Sequence, residues 1–369
     1  MKNTTKIGVP VIIVILVISS GVFYLLFLNS KTEIQNHNRN TNEFTPYTWK
    51  YSTPGEQGFN TSKLNSLTEY VTNGYPQTTS VLVIRNGYIV YEHYFSGDDN
   101  TSLHHVFSVT KSVTSILIGI LLDKGFLTDI NQKILDFFPN RTFQNVNAEK
   151  KDITIYNLLT MTSGIQWDEL SISYNDPLNS FTIMSNTPDW TQYYLDLPMA
   201  YNPGVHYEYS TGSSQVLSAI IQKVTNMTTF NFATKYLFNP LGINSSEIDW
   251  LSDNSGVTRG GVGLYLTTKD MAKIGYLFLN NGTWNKNQIV SKNWVINSTT
   301  NHSPSPNNPY GYQWRIHFNG FSALGYGSQR IYVVPQENLI FVMTAFLFGN
   351  DISPGNILVN SIVIPAIIN

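Results

Sequence analysis

"HHVFSVTKSVTSILIGILLDKG", residues 104–125, is the stretch on which the fold turns. From Val109 to Leu122 it is apolar almost all round, the pattern of a helix buried at the centre of a domain. Gly125 supplies the stop. One residue is out of place. Lys111 sits one turn in, three residues after Ser108, and a buried ammonium is costly unless it is paired or gives up its charge. Positions i and i+3 of a helix share a face, so the Lys111 amine can reach the Ser108 hydroxyl. A helix start also points free N–H groups and a positive dipole end at whatever approaches Ser108. Desolvation lowers a lysine pKa, and a neutral amine can take a serine proton. The competing reading makes Ser108 an N-cap and Lys111 a lysine snorkelling to the surface.

Working outward, "SVLVIRNGYIVYEHYF" (80–95) predicts two strands around an Asn86-Gly87 hairpin turn. Before it, "NTSKLNSLTEYVTNGY" (60–75) predicts an amphipathic helix opened by Asn60 or Thr61. From about 126 to 300 the pattern is mostly helical; "TTKDMAKIGYLFLNNG" (267–282) shows a Thr267 cap and a glycine stop. After 308 strands return in "YGYQWRIHF", "SQRIYVVP" and "LIFVMTAFLF", with an apolar segment after Pro354. Strands at both ends with helices between predict an α/β chain of the α+β type. One antiparallel sheet is flanked by helices, with a largely helical region inserted.

Composition narrows the function. The 369 residues carry a net charge of −2, only 12% are charged, and no basic block occurs, which argues against nucleic acid. With no cysteine, disulfides and thiol nucleophiles are excluded. The seven histidines are scattered apart from His104-His105, and no spacing suggests a metal, so neither metal nor cofactor is expected. His104 and His105 read as loop residues sooner than as the lining of a site entrance, and Asp168 and Glu169 as solvated charges sooner than as residues lining the cleft.

Residues 7–28, "IGVPVIIVILVISSGVFYLLFL", are uncharged and span roughly 33 Å as a helix, enough for the ~30 Å hydrocarbon core. They predict a transmembrane anchor over 1–29, with a cleaved signal peptide as the rival reading. A polar linker over 30–48 and a globular domain over 49–369 follow, placed outside the cytoplasm. Eight N-x-S/T triplets follow the span; they suit a glycosylated face, and a chain this rich in Asn, Ser and Thr also produces them by chance.

Two further stretches carry chemistry. In "NPGVHYEYSTGSSQVLSAIIQKVTN" (202–226), Tyr209 precedes an apolar helix, where a phenol with a pKa lowered by an adjacent cation can relay protons. In "LGYGSQRIYVVP" (324–335), glycines directly before a strand mark either a turn or a close approach to ligand. Ser-x-x-Lys, the Tyr209 motif and this Gly-rich strand occur in the order of the serine beta-lactamase-like superfamily. "DITIYNLLTMTSGIQWDE" (152–169), "GGVGLYLTTKDMAKIGYLFLNNGTW" (260–284) and "YGYQW" (310–314) add to the likeness. The chain resembles that superfamily from residue 49 to about 347. "LLTMTSGIQW" and "YEYSTGSSQVL" are most similar to its 6-aminohexanoate-dimer (nylon oligomer) hydrolase branch.

The resemblance implies a beta-lactamase-like fold and a serine hydrolase that cleaves an ester or amide of a small molecule. Ser108 would be the nucleophile, with Lys111 and Tyr209 as base and proton relay. The oxyanion hole would be formed by the Ser108 N–H and a strand N–H near Ser328; Thr211, Tyr326 and Gly327 would contact substrate. Two departures stand out. Tyr209-Ser210-Thr211 lacks the asparagine usual at its third position, and Tyr326-Gly327-Ser328 lacks the usual lysine or histidine at its first. Without that cation, beta-lactams and D-alanyl-D-alanine peptides lose a partner for their carboxylate. Short neutral esters or small linear amides are therefore expected to be preferred, in a cleft walled by Trp167, Tyr207, Tyr310, Tyr312, Trp314 and Tyr326. The competing view has Arg330 or Arg315 reaching in to restore the charge. The alternative functions are a sensor or binding domain that keeps the cleft with weak or no turnover, and a D-alanyl-D-alanine carboxypeptidase or beta-lactamase.

Overall fold

The computed structural model describes residues 46–348 and 354–368, and a seven-stranded sheet lies at its centre. Its first strands are β1 (Lys50–Tyr51), β2 (Thr78–Arg85) and β3 (Tyr88–Tyr94). Asn86 and Gly87 turn the β2–β3 hairpin with φ of 53° and 81°, the positive pair a type I′ turn requires. Short strands β4 (His104–His105), β5 (Asp249–Trp250), β6 (Leu264–Leu266), β7 (Thr283–Trp284) and β8 (Asn287–Gln288) follow. The C-terminal part supplies β9 (Arg315–His317), β10 (Gly320–Gly325), β11 (Gln329–Val334) and β12 (Leu339–Ala345). The order β1-β3-β2-β12-β11-β10-β9 joins the two ends of the chain at β2 and β12, with Leu339 opposite Arg85 and Thr344 opposite Ser80.

The sheet is mixed rather than wholly antiparallel, because β1 runs parallel to β3. A strand of two residues has no alternation from which its direction can be read. The same applies to the two- and three-residue strands β5–β8, which interrupt the region expected to be helical, and to β4, His104-His105, a strand paired with β6 rather than a loop. β10 also lay outside the expected strands; "GFSALG" is too rich in small residues to show a clear period.

Both faces of the sheet are buried, which explains its nearly continuous apolar strands. Val81, Val83, Phe341 and Met343 face one layer, made by α1 (Thr61–Gly74) and the C-terminal turns from Pro354. Asn60 caps α1 by accepting the Lys63 N–H at 3.0 Å. Leu82, Ile84, Ile340 and Val342 face the other layer, where α2 (Val109–Asp123), α3 (Thr211–Thr225) and α4 (Thr268–Leu279) gather with shorter helices. Every α2 residue from Val109 to Leu121 is buried. Its seven buried Val, Ile and Leu side chains, at about 1.5–3 kcal/mol each, outweigh the several kcal/mol of burying one ammonium. The helix can therefore hold Lys111 inside.

Among the described residues no helix is long and apolar enough to cross a membrane. The 7–28 span and nearly all of the 30–48 linker lie outside the described residues.

Candidate active site

β4 runs through Val106 and Phe107 into α2. Phe107 adopts φ +47°, an unusual conformation for an aromatic residue, and turns the chain so that Ser108 begins the helix. Ser108 occupies the N-cap position but its hydroxyl makes no capping bond. It lies instead 3.0 Å from Lys111 Nζ, which donates to it. Lys111 is 1% exposed, so it does not snorkel. Its amine also donates to Thr211 Oγ1 at 2.8 Å and to the Gly261 carbonyl at 3.1 Å. A Cβ on Gly261 would stand 2.8 Å from Thr211 Cγ2, so glycine is what lets this carbonyl come close. Burial pulls the Lys111 pKa down to about 8, with Glu169 pushing it up and Arg315 pushing it down.

The second element is the start of α3. Ser210 caps the helix by accepting the Ser213 N–H at 3.1 Å, leaving Thr211 in the first turn. Thr211 donates its N–H to Glu169 Oε2 and its hydroxyl to Glu169 Oε1, both at 2.7 Å. Trp167 Nε1 (2.9 Å) and the Tyr174 hydroxyl (3.0 Å) complete the carboxylate's partners. Glu169 is therefore buried and fully bonded, which corrects its reading as a solvated charge. Four donors and the N-terminus of α3 offset its desolvation. Asp168 stays partly exposed and accepts the Ser171 N–H of its own turn. Thr211 is buried, accepts from Lys111 Nζ and is not among the residues lining the cavity at Ser108.

The Tyr209 ring lies 4.8 Å from Lys111 Nζ. Its pKa is raised rather than lowered: burial dominates, Glu169 adds to it, and Arg315 and Ser108 oppose. Tyr209 thus keeps its proton at neutral pH, contrary to the expected effect of an adjacent cation.

A small cavity at Ser108 is lined by Phe107, Glu169, Tyr174, Phe181, Val262 and Tyr326. Tyr326 packs edge-on to Phe107 and Tyr174, at 5.8 and 5.2 Å between ring centres. Gly327 and Ser328 share a tight turn between β10 and β11, both at φ +73°. The Gly327 carbonyl accepts the Leu347 N–H at 3.2 Å. Of the other expected wall residues, Tyr207 and Tyr310 pack beside Tyr209. Tyr312 and Trp314 do not join the wall: Tyr312 stacks on His302 and Trp314 on Phe278 in the core. Arg330 hydrogen-bonds Asn356 beside the C-terminal helix, whereas the Arg315 guanidinium lies 5.6 Å from the Tyr209 ring. His104 is buried, and His105 Nε2 accepts the Gly263 N–H at 3.1 Å, close in sequence to the Gly261 carbonyl.

Three contributors escaped the sequence reading. Tyr174 and Gly261 sit in loops without periodicity. Gln313 binds the hydroxyls of Ser112 and Ser214, both at 2.7 Å, and so ties α2 and α3 to the loop before β9. A larger cleft lined by Tyr47, Trp49, Asn100 and Lys269 shares no residue with the Ser108 cavity. Among the described residues no group of His, Asp or Glu could hold a metal ion.

Residues 68–352 match the family described as Beta-lactamase. The chain is 22% identical over 289 residues to the 6-aminohexanoate-dimer hydrolase of Paenarthrobacter ureafaciens, covering 72% of this chain and 71% of that protein. Protein flp of Staphylococcus aureus (strain COL) is 28% identical over 176 residues, 46% of this chain and 34% of the relative's own length. Among solved structures, a putative 6-aminohexanoate-dimer hydrolase from Bacillus anthracis has the same fold, with a TM-score of 0.70 at 20% identity over 89% of both chains. So does EstCE1, a hydrolase with promiscuous acyltransferase activity, with a TM-score of 0.63 at 13% identity over 82% of this chain and 97% of that one. The family match takes in β2 to β12, and with them the helix that carries Ser108 and Lys111: the chain belongs to the beta-lactamase family of serine hydrolases.

Proposed function

We propose that the protein cleaves an ester or amide bond through an acyl-enzyme on Ser108. The supporting observation is the set of partners around Lys111 Nζ, two hydroxyls and a carbonyl and, among the described residues, no carboxylate in contact, in a setting that brings its pKa to about 8. The neutral amine takes the Ser108 proton across 3.0 Å while Oγ attacks the substrate carbonyl carbon. The Ser108 N–H at the start of α2, with an N–H from the 326–328 turn, receives the oxyanion. Tyr209, still protonated, hands its proton to the leaving oxygen or nitrogen and regains one from the Lys111 ammonium. Water then attacks the acyl group by the reverse route, and the carboxylic acid departs. The name of the Paenarthrobacter relative points to linear amides as one substrate class.

The proposal extends to placement. Residues 7–28 tether the 49–369 domain outside the cytoplasm through the 30–48 linker, a reading supported by the length of the span and by Lys2 and Lys6 before it. Protease added to intact cells then releases an active fragment that begins between 30 and 48. Activity that sediments without membrane and resists protease refutes the tether.

A fluorophosphonate probe tests the chemistry. It should label the wild-type protein and leave folded Ser108→Ala unlabelled, and p-nitrophenyl butyrate should be turned over at steady state. Undiminished labelling, or labelling at Ser112, overturns the assignment; binding without product would make the domain a sensor.

A further inference from the structure

Residues 260–263, Gly-Gly-Val-Gly, form a strap that leads into β6. Its first end is tied to two helices. The Gly260 N–H donates to Gln215 Oε1 of α3 at 3.0 Å, and the Gly260 carbonyl accepts from Thr114 Oγ1 of α2 at 2.7 Å. A Cβ on Gly260 would collide with the Ser214 carbonyl, so glycine lets the strap lie directly on α3. Its far end is tied to β4, where the Gly263 N–H donates to His105 Nε2 at 3.1 Å. Between the two ends stand Gly261, whose carbonyl meets Lys111 Nζ, and Val262, which lines the Ser108 cavity.

A backbone N–H only donates, so His105 Nε2 is the acceptor and the proton of the neutral ring sits on Nδ1. Burial, with the charge of Arg259 adding to it, holds the His105 pKa down to about 3, and the ring stays neutral. Phe107 and Tyr265 pack against it, at 4.0 and 4.9 Å between ring centres. Gly263 is buried and adopts φ +87°, beyond which a glycine turns freely. Its carbonyl, in the following peptide plane, accepts the Leu251 N–H at 3.0 Å. The plane that joins Val262 to Gly263 is therefore oriented by His105.

Neutral Lys111 has two N–H bonds and one lone pair. Thr211 Oγ1 spends its own proton on Glu169 and only accepts, and the Gly261 carbonyl only accepts. With both N–H bonds directed there, the lone pair is left for Ser108. If the carbonyl turns away, an N–H is free to swing toward Ser108 and the base is misaimed.

We propose that His105 is a positioning residue for the base: through the Gly263 N–H it fixes the strap, so that the Gly261 carbonyl holds the Lys111 amine with its lone pair on Ser108. The inference rests on Lys111 being the base that activates Ser108. His105 touches neither the substrate nor the reacting atoms; it acts only through the strap.

His105→Leu removes the acceptor, and pH profiles of the full-length protein on p-nitrophenyl butyrate test it. The high-pH plateau of kcat should fall by at least about tenfold, with KM changing less, because a misaimed base slows chemistry more than binding. The midpoint near 8 should move to lower pH, since the ammonium loses a carbonyl that favours it. Loss of fold alone lowers the plateau and leaves the midpoint in place. His105→Gln, whose side-chain oxygen can accept from the same N–H, should recover most of the plateau. A wild-type plateau in His105→Leu, a lower plateau at an unchanged midpoint, or a glutamine variant no better than the leucine one overturns the proposal. If His105→Leu does not fold, nitrogen NMR of the wild-type protein with labelled histidines decides. His105 Nε2 should carry no proton at working pH, and an Nε2–H ring overturns the proposal. Failure of the Lys111 reading shows separately, as a near-normal rate for Lys111→Arg. A slow Lys111→Arg beside a normal His105→Leu refutes His105 alone.

Discussion

Lys111 and Lys150 are both buried lysines with depressed pKa values, yet they have different work. Lys150 Nζ donates to three carbonyls, those of Gln144 (3.0 Å), Leu195 (2.8 Å) and Leu197 (2.6 Å). A carbonyl only accepts, so all three bonds require the lysine to keep its protons. Lys111 replaces two of those carbonyls with hydroxyls: Thr211 spends its own proton on Glu169 and only accepts, whereas Ser108 can accept from the amine or give its proton to it. Burial alone therefore does not make a lysine reactive; the partners decide whether its proton can leave. Lys150 holds the loop before it to the end of the Trp190–Asp196 helix.

The sharpest break of this contrast is charge-preserving substitution. Lys111→Arg should cost at least ~10²-fold in kcat, because arginine cannot act as a neutral base. Tyr209→Phe should cost a similar factor, and less than additively if the two share one proton path. A near-normal rate for Lys111→Arg would place the base elsewhere. The next largest effect belongs to Glu169→Gln. Activity should rise with pH as Lys111 loses its proton, with a midpoint near 8. Glu169 raises that pKa, so its neutral substitute should move the midpoint to lower pH and reduce kcat by about tenfold. A midpoint that stays, or moves up, removes Glu169 from the electrostatics of Lys111. The smallest effect on chemistry is expected at the other lysine. Lys150→Met leaves three carbonyls without their cation and should lower stability by about 3 kcal/mol, read as a drop in Tm, with kcat per folded enzyme unchanged. Lost activity at unchanged Tm would show that the two lysines are not so different.

The parts of the site that could be read from the chain are those set by local spacing. Ser108 and Lys111 are one helical turn apart, and Asn86-Gly87 imposes its turn on any sheet that forms around it. Glu169 was misread because two of its donors come from Thr211, 42 residues along the chain, and the two nearby, Trp167 and Tyr174, sit in a loop with no periodicity to announce burial. Arg315 and Arg330 could not be separated before folding either. Each lies in a strand, and only the packing of Tyr209 against one and Asn356 against the other tells them apart. The two-residue strands had no period to detect.

The pairing of β2 with β12 also governs when the enzyme can exist. The β2–β3 hairpin is a local pairing, but the other neighbour of β2 lies some 260 residues away, and β11, β10 and β9 attach only through β12. Closing so long a loop delays the reward in contacts, and long-range strand pairing is correspondingly slow. Until Ala345 has been made, the edges of β2 and β11 stay unpaired and open to pairing with other chains. A ribosome that stops short of Leu339 thus leaves a chain with the whole Ser108–Lys111 helix and its sheet in two unjoined parts, and its vulnerability to aggregation ends only with the last strand.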